Sequence, residues 1–207
     1  MDKNFVINIG RQLGSGGRCI ADILARHYGI TAYDRKLIEL AAKESGLSQE
    51  FFENADEKKS HGFFHSIFSN RAAANALGSN DSYLSNDALF KVQSDIIREL
   101  AEKESCIFIG RCADYILRDH PCCVNLFFTA DLEDRVARMA SEKGITIEQA
   151  EELIERTDRR RADYYNYYSG KIWGAAESYD LCVNTSRLGF EGTAKILIDF
   201  IDSVLNK

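Results

Sequence analysis

Residues 4–9, Asn-Phe-Val-Ile-Asn-Ile, run straight into Gly10-Arg11-Gln12-Leu13-Gly14-Ser15-Gly16-Gly17-Arg18. The first stretch reads as a short buried strand. The helical spacing of Ile20, Ile23, Leu24 and Tyr28 begins as soon as the glycines end, and Gly29 is a suitable helix stop. Strand, glycine turn and helix in this order wrap backbone N–H groups around an anion, and the helix N-terminus adds partial positive charge. Four glycines within residues 10–17 exceed what one bend requires. Phosphate binding is therefore the leading expectation, and a sharp bend with no ligand is the alternative.

The turn departs from the usual phosphate loop, G-x-x-x-x-G-K-[ST], in which a lysine and a magnesium-bound hydroxyl follow the glycines. Gly16 stands just before the lysine position, but Gly17 occupies that position. Arg11 and Arg18 are the only nearby cations, and Cys19, which follows Arg18, offers no hydroxyl.

The rest of the chain alternates strand and helix patterns. Short apolar runs at 30–33, 105–109, 122–128 and 181–184 read as strands, the middle two apolar enough to be covered on both faces. Between them lie helical patterns: 35–45, a long helix capped by Asn86, and one from Leu132 to Gly144. Thr146 and Gln149 form a capping box for a charged helix that ends near Gly170, and Phe190 to Val204 trace a last amphipathic helix. Such alternation predicts a parallel sheet with helices on both faces and a ligand pocket beyond the carboxyl ends of the strands. Those ends carry the glycine turn, Asp34-Arg35, Gly110-Arg111, Thr129-Asp131 and Asn184-Thr185. Residues 48–85, less regular, read as an inserted substrate region.

Residues 156–161 are the densest cationic stretch. On a helix Arg156, Arg159 and Arg160 share a face and Arg161 points elsewhere. A guanidinium cluster suits phosphoryl transfer because it neutralises charge spread over the transferring group. The alternative is a solvated face, with Glu152, Glu155, Asp158 and Asp163 as exposed partners.

The net charge of −6 speaks against nucleic-acid and anionic-membrane partners. No apolar run approaches the length of a membrane span, so the expectation is a soluble, cytoplasmic protein. Six cysteines without a C-x-x-C pair read as reduced core residues, and His61 and His65 make a poor metal pair.

Taken together, Arg11 to Arg18 followed by Ile20-Ala21 resembles the hallmark of cytidylate kinase-like proteins, P-loop relatives of the bacterial cytidylate kinases. Tyr33-Asp34-Arg35, Ile109-Gly110-Arg111-Cys112-Ala113-Asp114, Phe127-Phe128-Thr129-Ala130 and Asp158-Arg159-Arg160-Arg161-Ala162 extend the resemblance over nearly the whole chain. It implies a single domain with the P-loop NTPase-like three-layer α/β/α fold, a five-stranded parallel sheet, a helical substrate insertion at 34–85 and a helical lid at 155–175. It also implies ATP and Mg2+, with small-molecule nucleotide substrates and transfer to a nucleoside monophosphate, most simply CMP or dCMP. In that picture Gly14, Ser15, Gly16, Gly17, Arg18 and Cys19 hold the donor phosphates. Asp34, Arg35 and Arg111 line the acceptor site. Arg18, Arg159, Arg160 and Arg161 act on the transferring group. A nucleotide-binding regulatory module that has lost catalysis, and a kinase for a different small acceptor, are the competing expectations. The lysine-free turn motivates the first of these. An acidic residue stands just before the matching glycine–arginine pair in the authentic enzymes, but not before Gly110-Arg111 here.

Overall fold

A computed structural model describes residues 4–34 and 80–206. The chain divides into two compact units, 1–35 with 98–207, and 36–97. The expected helix at 35–45, Arg35, most of the insertion, His61 and His65 lie outside the described residues.

Five parallel strands form one sheet: β1 (Val6–Arg11), β2 (Thr31–Tyr33), β3 (Cys106–Ile109), β4 (Cys123–Thr129) and β5 (Leu181–Asn184), in the order β2-β3-β1-β4-β5. The register aligns Ile9 with both Ile109 and Leu126, so β1 is hydrogen-bonded along both edges. Val6, Ile7, Asn8 and Ile9 are all buried, as a central strand covered on both faces requires.

Helix α1 (Gly17–Tyr28) leaves β1 through the glycine turn and ends at Gly29, whose φ of 66° closes a left-handed cap. Its Ile20, Ala21 and Leu24 share a core with Ile7, Ile9, Ile107, Val124, Leu126 and Phe128 of the sheet. Ala194, Leu197 and Ile201 of the last helix complete that core. Helix α2 (Asn80–Lys103) begins six residues before the expected Asn86 cap; no glycine or proline interrupts residues 80–85. A single turn, α3 (Ala113–Ile116), follows β3.

Helices α4 (Leu132–Lys143) and α5 (Ile147–Ser169) pack on each other through Val136, Met139, Ala150 and Ile154. The Thr146–Gln149 capping box forms as its spacing demands, and Gly170 ends α5 with φ 67°. Helix α6 (Gly189–Leu205) closes the chain. Layers of helix, sheet and helix make this the three-layer α/β/α fold. No helix among the described residues is long and apolar enough to cross a membrane. All six cysteines are free; Cys106 and Cys112 are buried, but Cys19 and Cys182 are exposed rather than core residues.

Candidate active site

The glycine turn is locked from outside. Each carbonyl from Arg11 to Gly16 accepts a hydrogen bond from the surrounding scaffold or from the turn itself. Arg161 Nη1 donates to Arg11 O at 3.0 Å, and Ser15 donates to Gln12 O through both its N–H and its Oγ. Arg135 Nε donates to Leu13 O at 2.8 Å, and Arg138 Nη1 to Gly14 O. Thr185 Oγ1 donates to Ser15 O at 2.8 Å, and the Ile20 N–H to Gly16 O at 3.1 Å.

With the carbonyls held outward, the amides of the first turn of α1 face the concave side. The N–H groups of Gly17, Arg18 and Cys19 have no intrahelical acceptor, because a helix leaves its first donors unpaired. Gly14 and Gly16 carry φ of 79° and 78°, left-handed values that only glycine adopts cheaply and that reverse the peptide direction at these points. The result is a preformed cradle of donors at a positive helix end, an arrangement able to accept an oxyanion.

Asp158 fixes this loop to α5. Its Oδ1 accepts from the Leu13 N–H at 2.8 Å and its Oδ2 pairs with Arg135 Nη2. Asp158 is 15% exposed and Arg135 7%, so the pair is largely withdrawn from solvent. Arg161, one turn further along α5, lies 3.7 Å from Asp158. The helical phase is therefore the reverse of the sequence expectation. Ile154, Asp158, Arg161 and Tyr165 face inward, at spacings of four, three and four. Arg159 is on the exposed side, paired with Glu155.

Three arginines lie close together beside the turn. Arg161, on α5, holds Arg11 O, and Arg111 follows β3, its guanidinium 5.6 Å from the centroid of the Tyr164 ring. Gly110, Arg111 and Cys112 have φ of 78°, 61° and 55°, a run of left-handed residues strained at its two non-glycine positions. Arg11 is the third. Burial first, then Arg161 and Arg111, push its pKa down to about 9, against the opposing pull of Asp34 and Asp158. Arg161 is lowered too, chiefly by burial. A half-buried cluster of this kind is short of negative charge, and a phosphate would supply it.

Arg18 points away from the cradle in this structure. It is 71% exposed and its Nη1 lies 2.7 Å from Asp34 Oδ2 at the end of β2. Cys19 is exposed beside it, and Arg160 is half-buried on α5. The turn thus brings together Gly14, Ser15, Gly16, Gly17 and Cys19, with Arg161 and Arg111 nearby. It leaves Arg159 outside and ties Arg18 to Asp34. Sequence reasoning passed over Arg11 as a site residue, although its place at the last position of β1 was a signal. It also missed Asp158, which local spacing alone made an ordinary surface acid.

Phosphate fits these residues; a protein-bound magnesium ion does not fit equally well. Mg2+ prefers hard oxygen ligands in octahedral array. Arg18 and Cys19 offer no hydroxyl after the glycines, and Asp34 is engaged by Arg18. No cluster of three or more His, Cys, Asp or Glu side chains forms among the described residues.

Comparison with known proteins places this geometry. A sequence model of the cytidylate kinase-like family matches residues 6–187. A cytidylate kinase from Methanopyrus kandleri is 28% identical, over 98% of this chain and 95% of its own. One from Pyrococcus horikoshii is 26% identical, over 96% and 91%. The crystal structure of an uncharacterized protein from Eubacterium ventriosum superposes with a TM-score of 0.74 at 27% identity, covering 97% of this chain and 99% of that one. Shikimate kinase from Bacteroides thetaiotaomicron, at 12% identity and a TM-score of 0.54, shares the fold.

Proposed function

The chain belongs to the cytidylate kinase-like family, and from that premise we propose that it transfers the γ-phosphoryl group of ATP to a nucleoside monophosphate, CMP or dCMP first among them. The observation that carries this reading is the cradle: carbonyls at residues 11–16 each tied by a hydrogen bond, unpaired amides at the head of α1, and Arg11, Arg111 and Arg161 close together beside it.

In this reading the amides of Gly14–Cys19 hold the donor phosphates, with Arg18 at the rim. Asp34, Arg35 and Arg111 orient the acceptor. A phosphate oxygen of the acceptor forms the new P–O bond as the bond from the γ-phosphorus to the β–γ bridging oxygen breaks, leaving ADP. Arg159, Arg160 and Arg161 belong to a lid at 155–175, and Arg161 is the one already at the loop. Charge stabilisation and positioning carry such a transfer; no side chain needs to form a covalent bond. Magnesium would arrive with the nucleotide and be held mainly by its phosphates and water, shielding their charge. Residues 34–85 form the acceptor-binding insertion.

A second reading, a nucleotide-binding module without transferase activity, is favoured by Gly17 at the lysine position and by the lack of a hydroxyl on Arg18 and Cys19. Incubation with ATP, Mg2+ and a panel of nucleoside monophosphates, following ADP release and the phosphorylated product, separates the two. Transfer to CMP or dCMP supports the kinase. ATP binding without transfer to any acceptor selects the module, and transfer only to another monophosphate or small alcohol keeps the kinase and replaces the acceptor.

A further inference from the structure

The lysine position of the turn is closed by Arg11. A Cβ built on Gly17 would lie 2.9 Å from Arg11 Cβ and 3.0 Å from Arg11 Cγ. The Cβ is fixed by the strand backbone and cannot swing aside. Any side chain at 17, lysine included, is incompatible with this placement of Arg11. Beyond Cγ the arginine runs across Gly110: a Cβ there would collide with Nη1 and lie 3.3 Å from Cζ. The two bare glycines thus form a channel that leads the guanidinium from the end of β1 to the end of β3.

Among the described residues no carboxylate forms an ion pair with that guanidinium. The two carboxylates that oppose the cluster are Asp34, 2.7 Å from Arg18, and Asp158, bound to Arg135 and to the Leu13 N–H. Arg111 and Arg161 are its other charged neighbours. Among the described residues, Asp34 and Asp158 are the carboxylates that act on Arg11, and both are engaged elsewhere.

We propose that Arg11 is the phosphate-binding cation of this loop: it reaches the donor phosphates from the strand, in place of the lysine that ordinarily reaches them from the helix. Gly17 and Arg11 are then one device, since the glycine is what admits the stem. A planar guanidinium offers paired donors where an ammonium offers a point charge, which suits a triphosphate lying between the turn and β3. That the anion is a nucleotide's rests on the kinase reading; that the cradle needs Arg11 to hold a polyphosphate does not.

The test uses the full chain and two probes, ATP and inorganic tripolyphosphate, titrated by calorimetry without any acceptor. Arg11→Met keeps the stem against Gly17 and removes the charge. The expected result is binding of both probes weakened about 10–100-fold, with an unchanged fold by circular dichroism. Arg11→Gln carries the same comparison should Arg11→Met not fold. The paired change Arg11→Gly with Gly17→Lys frees the space and returns an ammonium to the helix; it is expected to regain binding relative to Arg11→Gly alone. Wild-type affinity in folded Arg11→Met overturns the proposal and leaves the kinase reading standing. A wild-type chain that binds tripolyphosphate but not ATP overturns the kinase reading and leaves Arg11 in place. A wild-type chain that binds neither overturns both.

Discussion

The Leu13 N–H donates to Asp158 Oδ1 at 2.8 Å, joining residues 145 positions apart. Through this bond the charged helix α5 holds the back of the glycine turn, while Asp158 Oδ2 holds Arg135, whose Nε in turn caps Leu13 O. The loop's shape therefore depends on a carboxylate far away in sequence.

Removing that carboxylate leaves a buried guanidinium and a buried amide without their partner. Asp158→Ala is expected to lower stability by about 3–5 kcal/mol, the usual cost of breaking a buried pair from one side. It should also weaken ATP binding, because the turn loses its anchor. Urea unfolding of both proteins measures the first effect and calorimetry the second. A loss below about 1 kcal/mol would place the pair among ordinary surface contacts.

Gly110 is pressed against the Arg11 guanidinium and has φ of 78°. Gly110→Ala introduces strain of about 1–2 kcal/mol at a left-handed position and displaces the guanidinium. The expected outcome is a moderate fall in melting temperature, with a rise in the Kd for ATP larger than the stability change explains. Unaltered ATP affinity would mean the guanidinium finds an equivalent path.

Asp114 supplies the pH dependence. Burial raises its carboxyl above the usual value, although the Tyr165 hydroxyl, donating at 2.7 Å, pulls the other way. Between the ordinary and the raised value the folded chain binds more protons than the unfolded chain, so this group makes stability fall as pH rises through that window. Asp114→Asn keeps an acceptor for Tyr165 and removes the titration. Its stability relative to wild type should increase with pH across the window, by at most about 1.4 kcal/mol per pH unit, and be level above it. Denaturation midpoints of the two proteins at a series of acidic pH values give the comparison; parallel profiles would refute it.

Alkylation reads the turn directly. Cys19 is exposed in the first turn of α1, whereas burial pushes the thiols of Cys106, Cys112 and Cys123 up to about 12. Iodoacetamide should label Cys19 well before those three, and ATP should slow Cys19 alone. Peptide mass spectrometry after timed quenching assigns the sites. Saturating ATP with no effect at Cys19 would separate the nucleotide from this end of the helix.

The fold was largely legible because its signals are local: short apolar runs for all five strands, the Thr146–Gln149 box, and glycines at the helix ends. The glycine turn was legible for the same reason. The inward face of α5 was not. Charge spacing grouped Arg156, Arg159 and Arg160, but which side of a helix is buried depends on what packs against it, here Val136 and Met139 of α4. Asp158 looked like one acid among many because its partners, Leu13 and Arg135, are fixed only once the sheet is assembled. Arg11 was hidden differently. Its role depends on two glycines, Gly17 and Gly110, that become neighbours only through the pairing of β1 with β3.

Strand β1 lies in the middle of the sheet, with β3 on one edge and β4 on the other, and both are made more than ninety residues after it. During synthesis the turn it carries emerges before these partners and takes its shape only when they dock. Because Thr185 and Arg161 are also needed to pin it, nascent chains stopped before β5 should ignore polyphosphate altogether. Retention on a polyphosphate matrix would then report completed folding.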